Sequence, residues 1–300
     1  MQYCVFIHTN EKQMVGALVA KYALKRNSTH GEEFDVRIIR TEGFSFMADR
    51  EGQQYLRDGV MRPWLNDDLQ SFTPLRFMPP ELMDYQGRAL VIDPDVFAIQ
   101  DVWELLTRDM QNHAILCRMR AGPKGFVDRC KASSVMLLDC SRLTHWQVEQ
   151  QFGEMFDGQR DYQPWVCLKL EPEKSIGFFE NEWNDFDQLT EKTRMLHTTR
   201  RRTQPWKTGL PVDWRPADRF RLFPPFGWLM RARRHFFGEY GLLGHYKAHP
   251  DKNQELLFFQ LLAECVDKDI ISESMLQQEI QLGHVRQDTF EVLKKVSRGA

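Results

Sequence analysis

The first forty residues follow a strand, helix, strand order, and this order constrains the fold more than any other feature. Tyr3–Thr9 and Phe34–Ile39 are short, largely apolar runs typical of buried strands. Between them, Lys12–Arg26 places apolar residues three and four positions apart, which predicts a helix. A helix between two strands favours parallel strand pairing, because it returns the chain to the same end of the sheet. The pattern predicts an α/β fold with a parallel sheet of the nucleotide-binding kind.

The remaining pattern extends the sheet and then changes character. Four later segments predict further strands: Arg88–Asp93, His113–Met119, Ser134–Asp139 and Arg194–Thr198. Helices are predicted near Thr73, over Asp101–Thr107, from an N-cap at Ser141 to about Phe156, and twice within residues 251–282, with a turn at Gly122–Gly125. Residues 41–72 are polar and poorly periodic. We predict a catalytic domain over residues 1–214, with a mixed, mostly parallel central sheet, and a helical C-terminal extension over residues 215–300.

Composition excludes some classes of protein. The 300 residues are 42% hydrophobic and 12% aromatic, which suits a large ordered core, and the net charge of −2 argues against a nucleic-acid-binding field. None of the six cysteines forms a C-x-x-C pair, so we predict free, buried thiols in a reducing compartment. The N-terminal residues resemble a strand more than a signal peptide, and no apolar run reaches the roughly 18 residues of a membrane span. These features predict a cytoplasmic protein, at most attached to a membrane surface.

The clearest predicted strand ends in two carboxylates, Asp93 and Asp95, separated by Pro94. Ligands of open α/β sheets collect beyond the carboxyl ends of strands. Two carboxylates there can share Mg²⁺ or Mn²⁺, hard cations that prefer oxygen ligands and often bridge them to substrate phosphates. The alternative is a solvated turn, for which Asp-Pro-Asp is also common chemistry.

A second enzyme class shares part of this pattern. In haloacid-dehalogenase-type phosphatases a strand is followed by Asp-x-Asp, so Asp93 would be the nucleophile and Asp95 the acid/base. That motif normally opens the fold, whereas here two good strands precede it, and no downstream acidic pair after a glycine is evident. The phosphatase is therefore the weaker hypothesis.

Several ordered segments together resemble glycosyltransferase family 8, the family of glycogenin and bacterial lipopolysaccharide glycosyltransferases. The resemblance runs from about residue 3 to about residue 210. Its pieces are Val5–Thr9 with Asn10, Gly16-Ala17-Leu18, Thr73–Arg76 with Pro80-Glu81-Leu82, Ala89–Val96 with Ile99–Leu105, Ala132–Leu138, Asp161-x-Gln163, and His197 with Gln204-Pro205-Trp206.

The resemblance implies a GT-A fold and transfer of a sugar from a nucleotide diphosphate, normally a UDP-sugar, to an acceptor with retention of configuration. It implies that Asp93, Asp95 and His197 bind Mn²⁺, or Mg²⁺ in its place. The nucleotide-binding residues that it implies are Thr9, Asn10 and Arg76, although Arg76 would equally suit an ion pair with a carboxylate. It places Asp161 and Gln163 on the donor-sugar and acceptor side as candidate catalytic residues. On residue type alone, His197 would equally suit a buried structural histidine.

The sequence departs from the family pattern at several places. Pro164 follows Gln163 where small residues are usual, and Thr199-Arg200-Arg201-Arg202 stands where a glycine is expected and makes the closing element one residue longer. Ala132-Ser133-Ser134 stands where Asn-Ser-Gly is usual, and Gln204 stands where the family has a diphosphate-binding lysine. Arg201, Arg202 or Lys207 could supply the missing cation, since any positive charge beside the phosphates would serve. A catalytically silent nucleotide-sugar-binding protein is a further alternative.

Residues 219–237 interleave five arginines with large apolar residues. Pro224-Pro225 and Gly227 predict a turn that leads into a helix from about Trp228. The segment could pack on the core, lie on a membrane surface as basic amphipathic helices often do, or contact nucleic acid, which the net charge disfavours.

Overall fold

The computed structural model describes residues 2–121, 127–216 and 224–299. Its strands are β1 Tyr3–Thr9, β2 Asp35–Arg40, β3 Gln54–Arg57, β4 Val60–Pro63, β5 Arg88–Ile92, β6 Val96–Ala98, β7 Ile115–Ala121, β8 Val127–Asp139, β9 Ile176–Phe178, β10 Asp185–Phe186 and β11 Met195–His197. Its α-helices are α1 Met14–Arg26, α2 Ser45–Ala48, α3 Pro79–Leu82, α4 Trp103–Leu106, α5 Val148–Phe156, α6 Tyr162–Val166, α7 Pro224–Phe237, α8 Lys252–Asp267, α9 Glu273–Gln281 and α10 Thr289–Gly299. Short 3-10 helices include Glu11–Gln13, Thr73–Phe77, Arg201–Thr203 and Pro205–Lys207.

The central sheet has six strands in the order β2-β1-β5-β8-β7-β9. β1 pairs in parallel with β2 and β5, and β7 pairs in parallel with β9. β8 is antiparallel to both of its neighbours, β5 and β7, so it alone opposes the direction of the other strands in this sheet. The predicted α/β class with a mixed, mostly parallel sheet is confirmed. As a result, the chain segments that follow β1, β2 and β5 leave the same edge of the sheet.

The sheet is covered on both faces. Alternate residues of β1 point to opposite sides, and Val5 and Ile7 belong to one buried apolar cluster while Phe6 belongs to the other. The first cluster includes residues of α1 and α8, and the second includes residues of α5. Each fully buried large apolar side chain stabilises the fold by about 1.5–3 kcal/mol. The two layers therefore hold the edge with the carboxyl ends of β1 and β5 rigidly.

Two smaller sheets complete the site. β10, β11 and β6 form a three-stranded sheet, in which β11 runs antiparallel to β6. β3 and β4 form a hairpin joined by Asp58 and Gly59, both with positive φ, of 54° and 69°. Asp-Gly with positive φ at both positions is the preferred two-residue hairpin turn. This hairpin lies in the stretch for which the sequence showed no clear periodicity.

The C-terminal helices pack against the sheet domain. Phe258 of α8 stacks on Trp206 at 4.7 Å between ring centroids, and it shares the core cluster of β1 and α1. The two helices predicted within residues 251–282 are present as α8 and α9. α10 was not predicted, and the division of the chain at residue 214 stays a prediction.

The structure corrects two other expectations. The helix expected from Ser141 begins at Val148, because Cys140–Arg142 forms a separate 3-10 helix capped by the Asp139 side chain. The helix expected from about Trp228 begins at Pro224. The turn predicted at Gly122–Gly125 and the segment from Arg219 to Phe223 lie outside the described residues.

The prediction that all cysteines are free is wrong. Cys130 on β8 and Cys167 after α6 form a disulfide, with 4.6 Å between their Cα atoms. Cys4, Cys117 and Cys265 are free and buried, as is Cys140. Disulfides persist mainly in oxidising environments, so this pair removes the cysteine argument for a reducing compartment.

No helix among the described residues has the length and apolar character required to cross a membrane.

Candidate active site

Asp93 and Asp95 lie directly beyond β5, at the edge where the chain leaves β1 and β2. The Asp93 N–H donates to the Ser134 carbonyl at 3.0 Å, and the Val96 N–H donates to the Asp93 carbonyl at 3.2 Å. These hydrogen bonds turn the chain sharply after the strand and connect it to β8. The Asp-Pro-Asp motif is thus a fixed, half-buried turn, and both carboxylates line one cleft.

The small sheet brings His197 to this turn. In the antiparallel pairing of β6 with β11, Val96 lies opposite His197. The Thr198 N–H donates to the Asp95 carbonyl at 3.1 Å, which extends the pairing by one residue. Residues far apart in the sequence therefore meet because of strand register, and His197 is placed beside Asp95.

The hydrogen bonds of His197 determine which ring nitrogen faces the carboxylates. Nδ1 lies 2.8 Å from Asn184 Oδ1, and Asn184 in turn donates through Nδ2 to Ser134 Oγ at 3.0 Å. Because the Asn184 oxygen can only accept, the neutral imidazole carries its proton on Nδ1 and its lone pair on Nε2. Such a partner on the second ring nitrogen is typical of metal-binding histidines.

In that tautomer two acceptors face each other. His197 Nε2 lies 3.3 Å from Asp95 Oδ1, and ligand atoms of Asp93, Asp95 and His197 all lie within 4.8 Å of one another. Two lone pairs at this separation repel unless a cation or a proton lies between them. Two carboxylates and one imidazole are a donor set that suits Mn²⁺ or Mg²⁺ with open positions for phosphate oxygens.

Asp93 is also held by the protein. Arg76 Nη2 donates to both of its carboxylate oxygens, at 2.7 and 3.0 Å, and His8 Nε2 lies 2.8 Å from Oδ1. Burial raises the pKa of Asp93, but the charge of Arg76 and the hydrogen bond from His8 outweigh it, so the net pKa is lowered. Burial lowers the pKa of His8, and the hydrogen bond and charge of Asp93 oppose that shift. An ionised carboxylate has about four lone-pair sites, so Asp93 can still ligate a metal ion.

The cleft around these residues is strongly basic. Among the described residues its ionisable lining consists of Asp93 and Asp95, His197, and five cationic side chains: Arg57, Arg76, Arg120, Lys131 and Arg201. Gln204 donates to Asp95 Oδ2 at 3.2 Å and accepts from Gln13 at 3.0 Å. A cleft with this excess of positive charge favours an anionic ligand.

The structure separates the candidate phosphate-binding cations. Arg201 lines the cleft, whereas Arg202 donates to the Leu243 carbonyl at 3.2 Å and is not part of the lining. Lys207 is fully buried, and its Nζ lies 2.7 Å from Asp213 Oδ2. The ammonium group of Lys207 is therefore paired with Asp213 and Lys207 does not line the cleft, so its contact with phosphate stays a prediction.

The candidate residues at the end of β1, Thr9 and Asn10, and the candidate residue before α6, Asp161, are engaged within the protein. Thr9 is buried, and the Asn10 amide donates to the carbonyls of Asp68 and Leu69, both at 3.3 Å. The Asp161 carboxylate accepts from the backbone N–H groups of Asp58 at 2.8 Å, Gly59 at 2.6 Å and Gln163 at 3.0 Å.

Asp161 thus ties the β3–β4 hairpin to the N-terminus of α6, and it is not part of the cleft lining. Gln163 does line the cleft, where its Nε2 lies 3.2 Å from Cys167 Sγ. Catalytic roles for Asp161 and Gln163 stay predictions.

Sequence reasoning missed several residues that line the cleft or contact its lining residues: His8, Gln13, Arg57, Arg120, Lys131 and Asn184. The Asp-Gly dipeptide flanked by QYLR and VMRP was a signal for a hairpin, which would have placed Arg57 at a strand end. No local pattern marks His8, Gln13 or Asn184, because their partners are distant in the sequence.

Gly16 sets the position of the Asp-Pro-Asp turn. A Cβ atom there would lie 2.8 Å from the Pro94 carbonyl oxygen and 3.1 Å from Trp206 Cζ2. We expect Gly16→Ala to displace Pro94, to cost about 1–3 kcal/mol through overpacking, and to weaken Mn²⁺ binding. Urea unfolding and Mn²⁺ titration measure both effects. Gly153→Ala is the control, since its nearest neighbour would be 3.7 Å away, and unchanged Mn²⁺ affinity in Gly16→Ala would contradict the steric argument.

Asp161 offers a separate test of anchoring against catalysis. We expect Asp161→Ala to cost about 1–2 kcal/mol in the free energy of unfolding, because three backbone donors lose their acceptor. The exposed Asp157→Ala is the control and should change stability by no more than about 0.5 kcal/mol. A large loss of sugar transfer in Asp161→Ala with unchanged stability would instead support the catalytic role.

No protein-family model and no curated protein matches the sequence. Similar solved structures include the galactosyltransferase LgtC in complex with donor and acceptor sugar analogs, with 11% identity, 68% of this chain and 89% of that chain covered, and a TM-score of 0.47. The glycosyltransferase GlyE of Streptococcus pneumoniae TIGR4 shares 14% identity, over 90% of this chain and 64% of that chain, with a TM-score of 0.47. Mouse xyloside xylosyltransferase 1 shares 12% sequence identity, over 66% of this chain and 98% of that chain, with a TM-score of 0.42. Similarities this weak do not assign a function, which has to be inferred from the site.

Proposed function

We propose that this chain is a GT-A-type glycosyltransferase that moves a sugar from a nucleotide diphosphate, a UDP-sugar, to an acceptor with the help of Mn²⁺ or Mg²⁺. The observation that carries the proposal is the juxtaposition of His197 Nε2 and Asp95 Oδ1 at 3.3 Å, beside Asp93. It lies at the carboxyl ends of parallel strands, in a basic cleft. A divalent cation there would neutralise charge on a leaving diphosphate.

The chain's own groups would orient this chemistry. Arg76 and His8 hold the Asp93 carboxylate ionised and fixed, and Asn184 holds the His197 lone pair toward the cleft. Arg201 lines the cleft and would contact the diphosphate in place of the lysine that Gln204 replaces. Gln204 itself restrains Asp95. Pre-set ligands and donors of this kind need little reorganisation when charge develops on the leaving group.

Retention of configuration is part of the proposal. Asp93 and Asp95 are the carboxylates among the described lining residues, and both are engaged at the cation site. A covalent glycosyl intermediate needs a carboxylate on the opposite face of the sugar from the leaving group. We infer that transfer occurs on a single face, with the leaving phosphate accepting the proton of the acceptor hydroxyl.

The phosphatase alternative is less well supported. In such an enzyme Asp93 would attack as the nucleophile, whereas here its carboxylate is fixed by two hydrogen bonds from Arg76 and lies beside Asp95 and His197 as part of a possible cation site. A silent binding protein would retain the same cation site. Incubating the chain with UDP- and GDP-sugars and Mn²⁺ separates these hypotheses. A glycosyltransferase releases the sugar, a phosphatase releases phosphate, and a silent binding protein binds the nucleotide without turnover. Phosphate release from simple esters without metal-dependent UDP binding would overturn the proposal.

We also propose that α7 lies on a membrane surface. Its Trp228, Leu229, Phe236 and Phe237 are 59–75% exposed, and Leu242 beyond it is 73% exposed. These side chains do not pack on the core. For them, the expectation that the segment packs on the core is wrong. The helix sequence contains three arginines and no acidic residue. An exposed apolar face with positive charge beside it fits anionic lipid headgroups, and a location on the inner face of a membrane stays a prediction.

We expect the chain to cosediment with anionic vesicles at low salt. Trp228→Ser/Phe236→Ser should remove most binding, and Arg231→Glu should weaken it, because a basic residue near an anionic surface contributes about 1 kcal/mol that salt screens. Leu282→Ser is the control, since Leu282 is a 56% exposed apolar residue that lies at the C-terminal end of α9, outside α7. Equal vesicle binding by all variants, or none by the wild type, would refute the membrane contact.

A further inference from the structure

The cleft holds more positive charge than a diphosphate and its cation require. Arg57 at the end of β3, Lys131 on β8 and Arg201 on a 3-10 helix all line it. None of these side chains forms an ion pair with a carboxylate within residues 2–121, 127–216 and 224–299. Three separate elements thus bring uncompensated cations to one cleft.

The guanidinium of Arg57 is held in position by a ring contact and one long hydrogen bond. Its guanidinium lies over the Tyr162 ring, 4.6 Å from the centroid, and its Nη1 has only a long contact of 3.4 Å with the Tyr55 hydroxyl. Its Nε is buried without a hydrogen-bond partner. A guanidinium that lies over a ring and makes one weak hydrogen bond keeps its other N–H groups available for contact with a carboxylate or phosphate.

Asp68, whose charge acts on Arg57, forms no ion pair with it. Asp68 is buried, and its oxygens accept from the backbone N–H groups of Gln70 and Arg215, each at 2.8 Å. Burial raises the pKa of Asp68, although these hydrogen bonds oppose it. Its carboxylate acts on Arg57 only at a distance, and it is not part of the cleft lining.

The charges of the cation site balance without Arg57 and Lys131. Asp93 and Asp95 offset the charge of a divalent cation, and Arg76 with Arg201 offset the two negative charges of a sugar nucleotide's diphosphate. Of the five cationic side chains that line the cleft, Arg57 and Lys131 are then left facing it beside Arg120. Partly buried charges without partners are costly, so an arrangement of this kind favours a further anion in the bound state.

We propose that Arg57 and Lys131 form a second anion site in this cleft, which binds a carboxylate or phosphate group on the substrates outside the diphosphate. The group is carried either by the transferred sugar or by the acceptor. This inference rests on the proposed function, in which the diphosphate occupies the cation site. It names the chemical class of substrate, an acidic sugar or a phosphorylated acceptor.

The first test uses inorganic phosphate as the probe. We expect phosphate to bind the wild-type chain already saturated with UDP and Mn²⁺, and to bind at least tenfold more weakly to Arg57→Met/Lys131→Met. UDP affinity in Mn²⁺ should change less than threefold. Lys21→Met/Lys174→Met, which removes two exposed charges elsewhere, is the matched control, and Arg57→Lys/Lys131→Arg should restore phosphate binding.

The second test distinguishes the two sources. UDP-glucose and UDP-glucuronate are titrated with Mn²⁺ into the wild type and into Arg57→Met/Lys131→Met. A preference of the wild type for UDP-glucuronate that the variant loses supports an acidic transferred sugar. Phosphate binding to the UDP-saturated protein without such a preference supports an anionic acceptor.

Two outcomes would overturn the second site. In one, UDP affinity falls in Arg57→Met/Lys131→Met as much as phosphate affinity, which would mean that these cations hold the diphosphate. In the other, the wild type loaded with UDP binds no phosphate and shows no preference for UDP-glucuronate. Failure of the wild type to bind UDP with Mn²⁺ would count against the proposed function instead, and phosphate titration in EDTA would still measure the Arg57–Lys131 site.

Discussion

Asp95→Asn is expected to lower Mn²⁺-dependent UDP affinity by at least about 100-fold. Loss of a residue that only hydrogen-bonds to a metal ligand typically lowers metal affinity by about 10–100-fold, and loss of a ligand should lower it at least as much. The same change should leave the apo protein as stable as the wild type. The new amide group could donate to His197 Nε2, which now lies 3.3 Å from an acceptor oxygen, and its oxygen could still accept from Gln204. Calorimetric titration of UDP with Mn²⁺ and with EDTA measures the first effect, and thermal unfolding measures the second.

His197→Ala provides the companion measurement. If His197 is a metal ligand, its removal should mainly lower metal affinity. If it is a structural histidine, its removal should lower the free energy of unfolding by about 1–3 kcal/mol, because the Asn184 amide oxygen loses its partner. Asp157→Asn removes an exposed carboxylate outside the cleft and serves as the control. Equal UDP affinity in EDTA, in Mn²⁺ and in Asp95→Asn would exclude a cation at this site.

Lys207→Met is expected to destabilise the fold by about 3–5 kcal/mol, because it leaves the Asp213 carboxylate without its buried partner. Lys207 is fully buried, with Nζ 2.7 Å from Asp213 and 5.6 Å from the Tyr246 ring centroid. Burial lowers the pKa of Lys207, and the charge of Asp213 opposes that shift. The midpoint and slope of urea unfolding measure the change in stability.

The double variant Lys207→Met/Asp213→Leu is the control, and we expect a smaller loss from it, because replacing both members of a buried pair avoids an unpaired charge. UDP affinity of the folded Lys207→Met protein should match the wild type, since Lys207 does not line the cleft. A reduced UDP affinity with unchanged stability would restore Lys207 as the phosphate-binding cation in place of Arg201.

The local patterns determined the elements whose physics is local. β1 was predicted with its observed bounds, and the ranges predicted for α1 and β5 contain all of each element and exceed it by one or two residues. A buried strand needs only a short apolar run, and a helix needs only its periodicity. The Asp93 and Asp95 pair was also evident, because two carboxylates after such a strand must lie at the sheet edge. The resemblance added His197, which no local pattern marks.

The tertiary structure alone decided how these residues are used. Register between β6 and β11 places His197 beside Asp95, and long-range contacts give Asp93 its partners Arg76 and His8. It also turned Lys207 inward, joined Cys130 to Cys167, and brought Arg57 and Lys131 to the same cleft. Side-chain direction and strand register depend on the packing of the whole chain, so a residue's type can indicate its chemistry but not the partners that decide its role.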